Sequence, residues 1–240
     1  MSTLPLFYAQ PKVLQPRRHG ARSLAPAGGF QFTATTNAVP LVAAELPSAS
    51  RCFPVVFTDE KLPQPVAVLG LRTGQNLFVD EQGRWEPGSY VPAYVRRYPF
   101  IFLENEARTE YTLCIDEAAA AVVPGNWNPL FDAAGQPTAL TRSALAFCRD
   151  YQAQLEPTLE FTRALAATQL LVEHRADVTL KDGQQLSLSG FKVIDEAKFN
   201  ALPNAEFCRW RSRGWLPWVY AHFASVGAWS GLMDRMVAVQ

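Results

Sequence analysis

Two adjacent arginines, Arg96 and Arg97, stand inside a segment, Trp85 to Phe102, that also carries Tyr90, Tyr94, Tyr98 and Phe100. A guanidinium stacks on aromatic faces and forks onto carboxylates or phosphates. The chemistry on offer is therefore recognition of a carboxylate, a phosphate or an acidic peptide, with Trp85, Tyr90, Tyr94 and Tyr98 as stacking walls. The segment has no nucleophile, metal-ligand cluster or phosphate-cradling loop. The valine- and tyrosine-rich run from Val91 to Val95 or beyond predicts a strand, whose consecutive side chains face opposite sides. One arginine then joins a pocket while the other pairs with an acid such as Glu104 or Asp116.

A second constellation lies near the C-terminus. His222 follows Tyr220 on a predicted helix, and with Asp195 or Glu196 nearby it would form a general acid/base pair; the competing expectation is a buried, hydrogen-bonded histidine. His19 sits in a basic segment and His174 at a predicted helix end. Three scattered histidines without close ligand spacing predict no metal site, and no cofactor motif is present. Trp210 and Trp229 are candidate partner anchors, whereas Trp215 and Trp218 are expected in the core. Cys52, Cys114, Cys148 and Cys208 show no Cys-x-x-Cys spacing and are expected as free thiols.

These residues need elements to hold them. Residues 1–50 carry six prolines and Gly28-Gly29, which predicts an irregular arm whose apolar residues pack on the body. Residues 51–123 read as a mainly antiparallel β region, with strands at Pro54–Thr58, Pro65–Leu71, Asn76–Val79, Pro99–Leu103 and Tyr111–Ile115. Residues 124–240 read as mainly α. One helix starts near Thr141 or Ser143, and a second opens at Pro157 and ends near Arg175. A hairpin follows near 177–194, turning at Lys181-Asp182-Gly183-Gln184. Asp195 caps a short helix, and helices cover Asn204–Arg213 and Leu216–Ser225, the latter burying Leu216, Val219, Tyr220 and Phe223. The fold class expected is α+β, an antiparallel sheet with an irregular N-terminal arm followed by helices interrupted by a β-hairpin, in one compact domain.

Lysine plus arginine and aspartate plus glutamate both number 22, so no net field steers the chain to nucleic acid. No apolar stretch approaches the roughly 20 residues of a transmembrane helix. Met1 to Gln10 lacks the pattern of a secretory signal, so a cytoplasmic location is expected.

Several blocks in order, Pro40-Leu41-Val42, Phe53 to Phe57, Asn76 to Asp80, the arginine segment, Leu113 to Glu117, Leu130-Phe131, Gly190 to Glu196 and Tyr220 to Ser225, resemble SapC-family proteins over nearly the whole chain. That family is named for a bacterial protein linked to a paracrystalline surface layer. Its members tend to be encoded near flavin-dependent halogenase-like proteins and outer-membrane receptors. The resemblance implies an accessory role in an envelope-associated or nutrient-uptake system, with a protein or peptide partner, a halogenase-like flavoprotein among the candidates. The first expectation is thus a non-enzymatic binding protein. The alternatives are an enzyme or enzyme subunit acting with such a flavoprotein, and a structural surface-layer component.

Overall fold

The computed structural model describes residues 4–25, 29–104, 111–179 and 185–238. The first part of the chain contributes only short pieces: β1 (Pro11–Val13), α1 (Pro16–His19), β2 (Arg22–Leu24), β3 (Ala38–Pro40) and α2 (Leu46–Ala49). Next come β4 (Val55–Thr58), β5 (Pro65–Val68), α3 (Ala93–Arg96), β6 (Phe100–Glu104), β7 (Tyr111–Asp116) and β8 (Val122–Pro124). The last part holds α4 (Ala139–Ala153), α5 (Leu155–Ala167), β9 (Leu171–Thr179), β10 (Gln185–Ile194), α6 (Glu196–Asn200), α7 (Asn204–Ser212), α8 (Leu216–Ser225) and α9 (Ala228–Ala238). The fold is α+β, as the residue pattern predicts.

The strands form three antiparallel sheets, ordered β1-β7-β6, β3-β5-β4-β10-β9 and β2-β8. Each strand of the arm joins a different sheet, so the proline-rich segment is sparse in structure but tied to the body at three places. One tie is electrostatic. Asp116 at the end of β7 is fully buried, and its carboxylate accepts the Ala9, Gln10 and Ala118 N–H groups and the Tyr98 hydroxyl. A buried carboxylate needs such donors to offset its lost hydration. Asp116 is consequently committed to the backbone and to Tyr98, and among the described residues it pairs with no arginine.

The main apolar cluster combines Phe53 and Phe57 around β4, Phe161 of α5, Phe199 of α6 and Trp210 of α7. Helix α8 docks on this cluster with polar side chains that satisfy strand ends. The Ser225 hydroxyl accepts from Val55 N at 3.1 Å, and His222 Nε2 accepts from Ile194 N at 3.0 Å. The buried face of α8 accordingly contains Val219, His222 and Ser225, while Tyr220 is 51% exposed. This corrects the predicted apolar stripe. Hydrophobic periodicity overlooks polar residues that are buried because they close a neighbour's hydrogen bonds.

Other boundaries moved for identifiable reasons. The first long helix is capped by Thr138, whose hydroxyl accepts Thr141 N, so it begins before the predicted start. Helix α5 stops at Ala167 instead of near Arg175: Gln169 takes a left-handed φ of 54°, and the β-rich residues from Leu171 onward pair with β10. His174 therefore sits on a strand opposite Phe191, not at a helix end. The hairpin pairs Val178 with Leu186, and its turn, Lys181 to Gln184, lies outside the described residues. Asp195 caps α6 as predicted, accepting Lys198 N. Asn76–Val79 is not a ladder strand; Val79 makes a single bridge with Trp85.

Candidate functional site

The segment from Val91 to Val95 is the main correction, because it folds into the helical turn α3 and not a strand. Pro92 stands at the N-cap, and its carbonyl accepts from Val95 N and Arg96 N. The Ala93 N–H, which a helix start leaves without an internal partner, donates to the Glu45 carboxylate at 2.6 Å. Glu45 also accepts Val42 N at 2.9 Å and the Tyr90 hydroxyl at 2.8 Å. A buried acid 48 positions upstream thus holds the turn and overrides the local β preference.

Helical geometry turns successive side chains by about 100°, and the two arginines diverge. Arg97 is half-buried, with its guanidinium 4.0 Å from the Tyr94 ring centroid, 4.6 Å from Tyr151 and 5.7 Å from Tyr8. Among the described residues, its buried Nε has no hydrogen-bond partner. The three rings come from α3, α4 and the arm, so the cation ties these elements together. Tyr8 donates to the Phe100 carbonyl at 2.6 Å and Tyr94 to the Leu6 carbonyl at 3.3 Å. Burial raises the pKa of Tyr8, Tyr94 and Tyr151, with Arg97 opposing the rise. It also pushes the neighbouring Cys148 thiol up to about 11. Phenols and thiol stay protonated at neutral pH, leaving Arg97 as the charge of this cluster.

Arg96 is exposed. Its guanidinium lies 5.0 Å from the Phe147 centroid and 5.7 Å from Tyr90, with Nε donating to the Val91 carbonyl at 3.0 Å and Nη2 to the Tyr90 hydroxyl at 3.2 Å. Among the described residues, no carboxylate forms an ion pair with Arg96 or Arg97. Tyr90, held by Glu45 below and Arg96 above, has its pKa pushed up to about 12 by burial and by that carboxylate. The chain from Glu45 through Tyr90 to Arg96 fixes the exposed guanidinium in position.

Arg96 and Tyr98 line a cleft of about 390 Å³ whose walls include Phe30, Phe32, Val95 and Leu140. Of the described lining residues only Arg96 is charged at neutral pH. Tyr98 stacks on Phe32 at 4.2 Å between centroids, and burial with the Asp116 carboxylate pushes its pKa up to about 12. Trp85 stands behind this wall: it is buried and meets Phe30 edge-on at 5.5 Å. The structure thus sets Arg96 and Tyr98 in the lining of one cleft, with Tyr90 hydrogen-bonded to Arg96 behind it, assigns Tyr94 and Arg97 to the clamp, and places Trp85 in the core.

The C-terminal candidates are distributed differently. Trp210 is fully buried, donates Nε1–H to Glu206 at 3.1 Å and packs on Phe161, Phe199 and Trp215. That corrects its assignment as a partner anchor, since the helix turns Arg209 and Arg211 outward and the indole inward. Trp229 is half-buried and stacks on Phe191 at 6.2 Å. It lines a second cleft, of about 540 Å³, with His174, Glu196 and His222. His222 does not form the predicted acid/base pair. Its Nε2 accepts the Ile194 N–H, so Nδ1 carries the proton, and among the described residues that buried nitrogen has no hydrogen-bond partner. Burial lowers its pKa to about 4. The Asp195 carboxylate is engaged by the α6 cap.

Sequence reasoning missed Glu45, Tyr8, Tyr151 and Trp127. Glu45 had a local signal, three residues after Val42 at capping-box spacing. Trp127 is 70% exposed, in the loop after β8 and next to Asn128, which lines the first cleft. His19, in contrast, is buried and fixed: Nε2 lies 3.1 Å from Glu117, which also receives the Arg18 guanidinium. Arg18 and His19 hold the Glu117 pKa down to about 2.

Among the described residues, no helix is long and apolar enough to cross a membrane, and no group of three or more His, Cys, Asp or Glu is placed to hold a metal ion. Comparison with curated proteins and with solved structures gives no match. The SapC family model matches residues 14–232 of the 240-residue chain, in agreement with the resemblance carried by the sequence blocks, and the chain belongs to the SapC family.

Proposed function

We propose that the protein is a non-enzymatic binding or accessory protein of an envelope-associated or nutrient-uptake system, recognising a protein or peptide through the surface around Arg96, Tyr90 and Tyr98. The observation that carries this reading is Arg96 itself. It is an exposed guanidinium without a carboxylate partner among the described residues, braced by Tyr90 and Phe147 at the rim of an apolar cleft. Cations committed to a fold are normally paired or buried among their partners, as Arg97 is. A braced but unpaired one beside apolar walls suits interface recognition, where arginine and aromatic residues dominate binding energy. The acid/base alternative lacks such support, because His222 spends its acceptor nitrogen on Ile194.

The test is affinity capture by the tagged chain from its native cells at low and moderate salt. The flavin-dependent halogenase-like proteins implied by the family resemblance are the first candidates to look for. A stoichiometric partner retained by the wild type and lost with Arg96→Ala, at unchanged circular dichroism, supports the reading. Equal capture by the variant rules out this surface.

A further inference from the structure

We infer that the cleft beside Arg96 takes the C-terminal end of an apolar peptide, its terminal carboxylate meeting the guanidinium. The inference rests on the binding role proposed above and names the chemistry of the occupant. The first argument is charge. The described walls include Phe30, Phe32, Val95 and Leu140, and Arg96 is the one charged residue among them. An apolar body with one negative charge is complementary to that lining. A cationic ligand meets only repulsion there, and a dianionic phosphate is left half-compensated in an apolar setting.

The second argument is donor count. A guanidinium has five N–H groups. Among the described residues, Arg96 spends one on the Val91 carbonyl and one on the Tyr90 hydroxyl, which leaves three for a ligand. A carboxylate uses two of them in the forked geometry that gives arginine its preference for this group. The Tyr90 and Phe147 rings already hold the side chain, so little rotamer freedom remains to be lost on binding.

The third argument separates a chain end from an internal segment. Extended internal segments are commonly captured by pairing with a free strand edge. The strand at this cleft, β2, offers none: it pairs with β8 on one side, while on the other Leu24 N donates to Asn128 O and Leu130 N to Arg22 O. Recognition must then come from side-chain burial plus the single charge. The volume, about 390 Å³, is that of a small-ligand pocket and not of a protein-sized groove. Trp127, 70% exposed beside the lining residue Asn128, supplies an apolar surface for the residues preceding the end.

Calorimetric titration tests this with an N-acetylated pentapeptide of leucine and phenylalanine, its C-terminal amide twin, and octanoate. The free-acid peptide is expected to bind at least about tenfold tighter than the amide, as a charge-assisted hydrogen bond implies, and Arg96→Ala is expected to abolish that difference. Equal binding of acid and amide overturns the carboxylate assignment while leaving protein recognition by this surface intact. Octanoate binding as tightly as the peptide overturns the peptide source in favour of a free acid. No binding by either peptide overturns the inference whatever the capture experiment gives.

Discussion

The chain concentrates aromatic rings and arginines twice, once from Trp85 to Phe102 and once in α7 to α9, and the two regions use the same residue types in opposite ways. In α7 the arginines face water and Trp210 is sealed between Phe161, Phe199 and Trp215. In α3 the rings are arranged around the cations: three tyrosines enclose Arg97, and Tyr90 with Phe147 braces Arg96. The difference lies in what each element must satisfy. A nine-residue helix makes its own hydrogen bonds and needs only an apolar face to dock. A four-residue turn cannot stand alone, and α3 depends on Glu45 at its start and the Tyr8–Tyr94–Tyr151 cluster at its end. Position on an element, more than composition, decides whether an aromatic–arginine run becomes core or surface.

The largest effect should come from the C-terminal region. Trp210→Ala removes a fully buried indole and is expected to cost about 3–5 kcal/mol in urea unfolding, as large-to-small core substitutions do. Trp229→Ala should cost clearly less. Equal losses would break the distinction between a sealed and a half-exposed tryptophan.

His222 sharpens the same region through pH. Its folded pKa is lowered from 6.5 to about 4, so the unfolded chain takes up a proton below pH 6.5 that the folded chain refuses. The stabilisation is present at neutral pH and is lost as pH falls through that window, by about 1.4 kcal/mol per pH unit and about 3 kcal/mol in all. Urea unfolding at pH 7 and near pH 4 should show the loss, and His222→Gln should flatten it. Glu117 contributes from the lower end of this range downward, between its ordinary value of 4.5 and about 2, where protonation releases Arg18 and His19.

The legible parts of the fold were those with local causes. Asp195 caps α6 within its own turn, and the alternating arms around Lys181 to Gln184 announce paired strands. Illegible were features whose cause lies far along the chain. Nothing between Val91 and Arg97 reveals that Glu45 will take the Ala93 N–H, and nothing in α8 reveals that His222 and Ser225 will take Ile194 N and Val55 N. The site suffered most from this. The aromatic–arginine segment stood out by its residue types, yet the division between Arg96 and Arg97 depended on a strand-to-helix change that two long-range hydrogen bonds and one local one make to a single carboxylate.

That division is the central claim, and equilibrium urea unfolding of Arg96→Ala and Arg97→Ala side by side tests it most directly. Arg97→Ala should lose about 2–3 kcal/mol, through cation–π contacts to three rings that hold the arm, α3 and α4 together. Arg96→Ala should stay within about 1 kcal/mol of the wild type. Equal losses, or the larger loss at Arg96, would contradict the assignment of one arginine to the fold and its neighbour to binding.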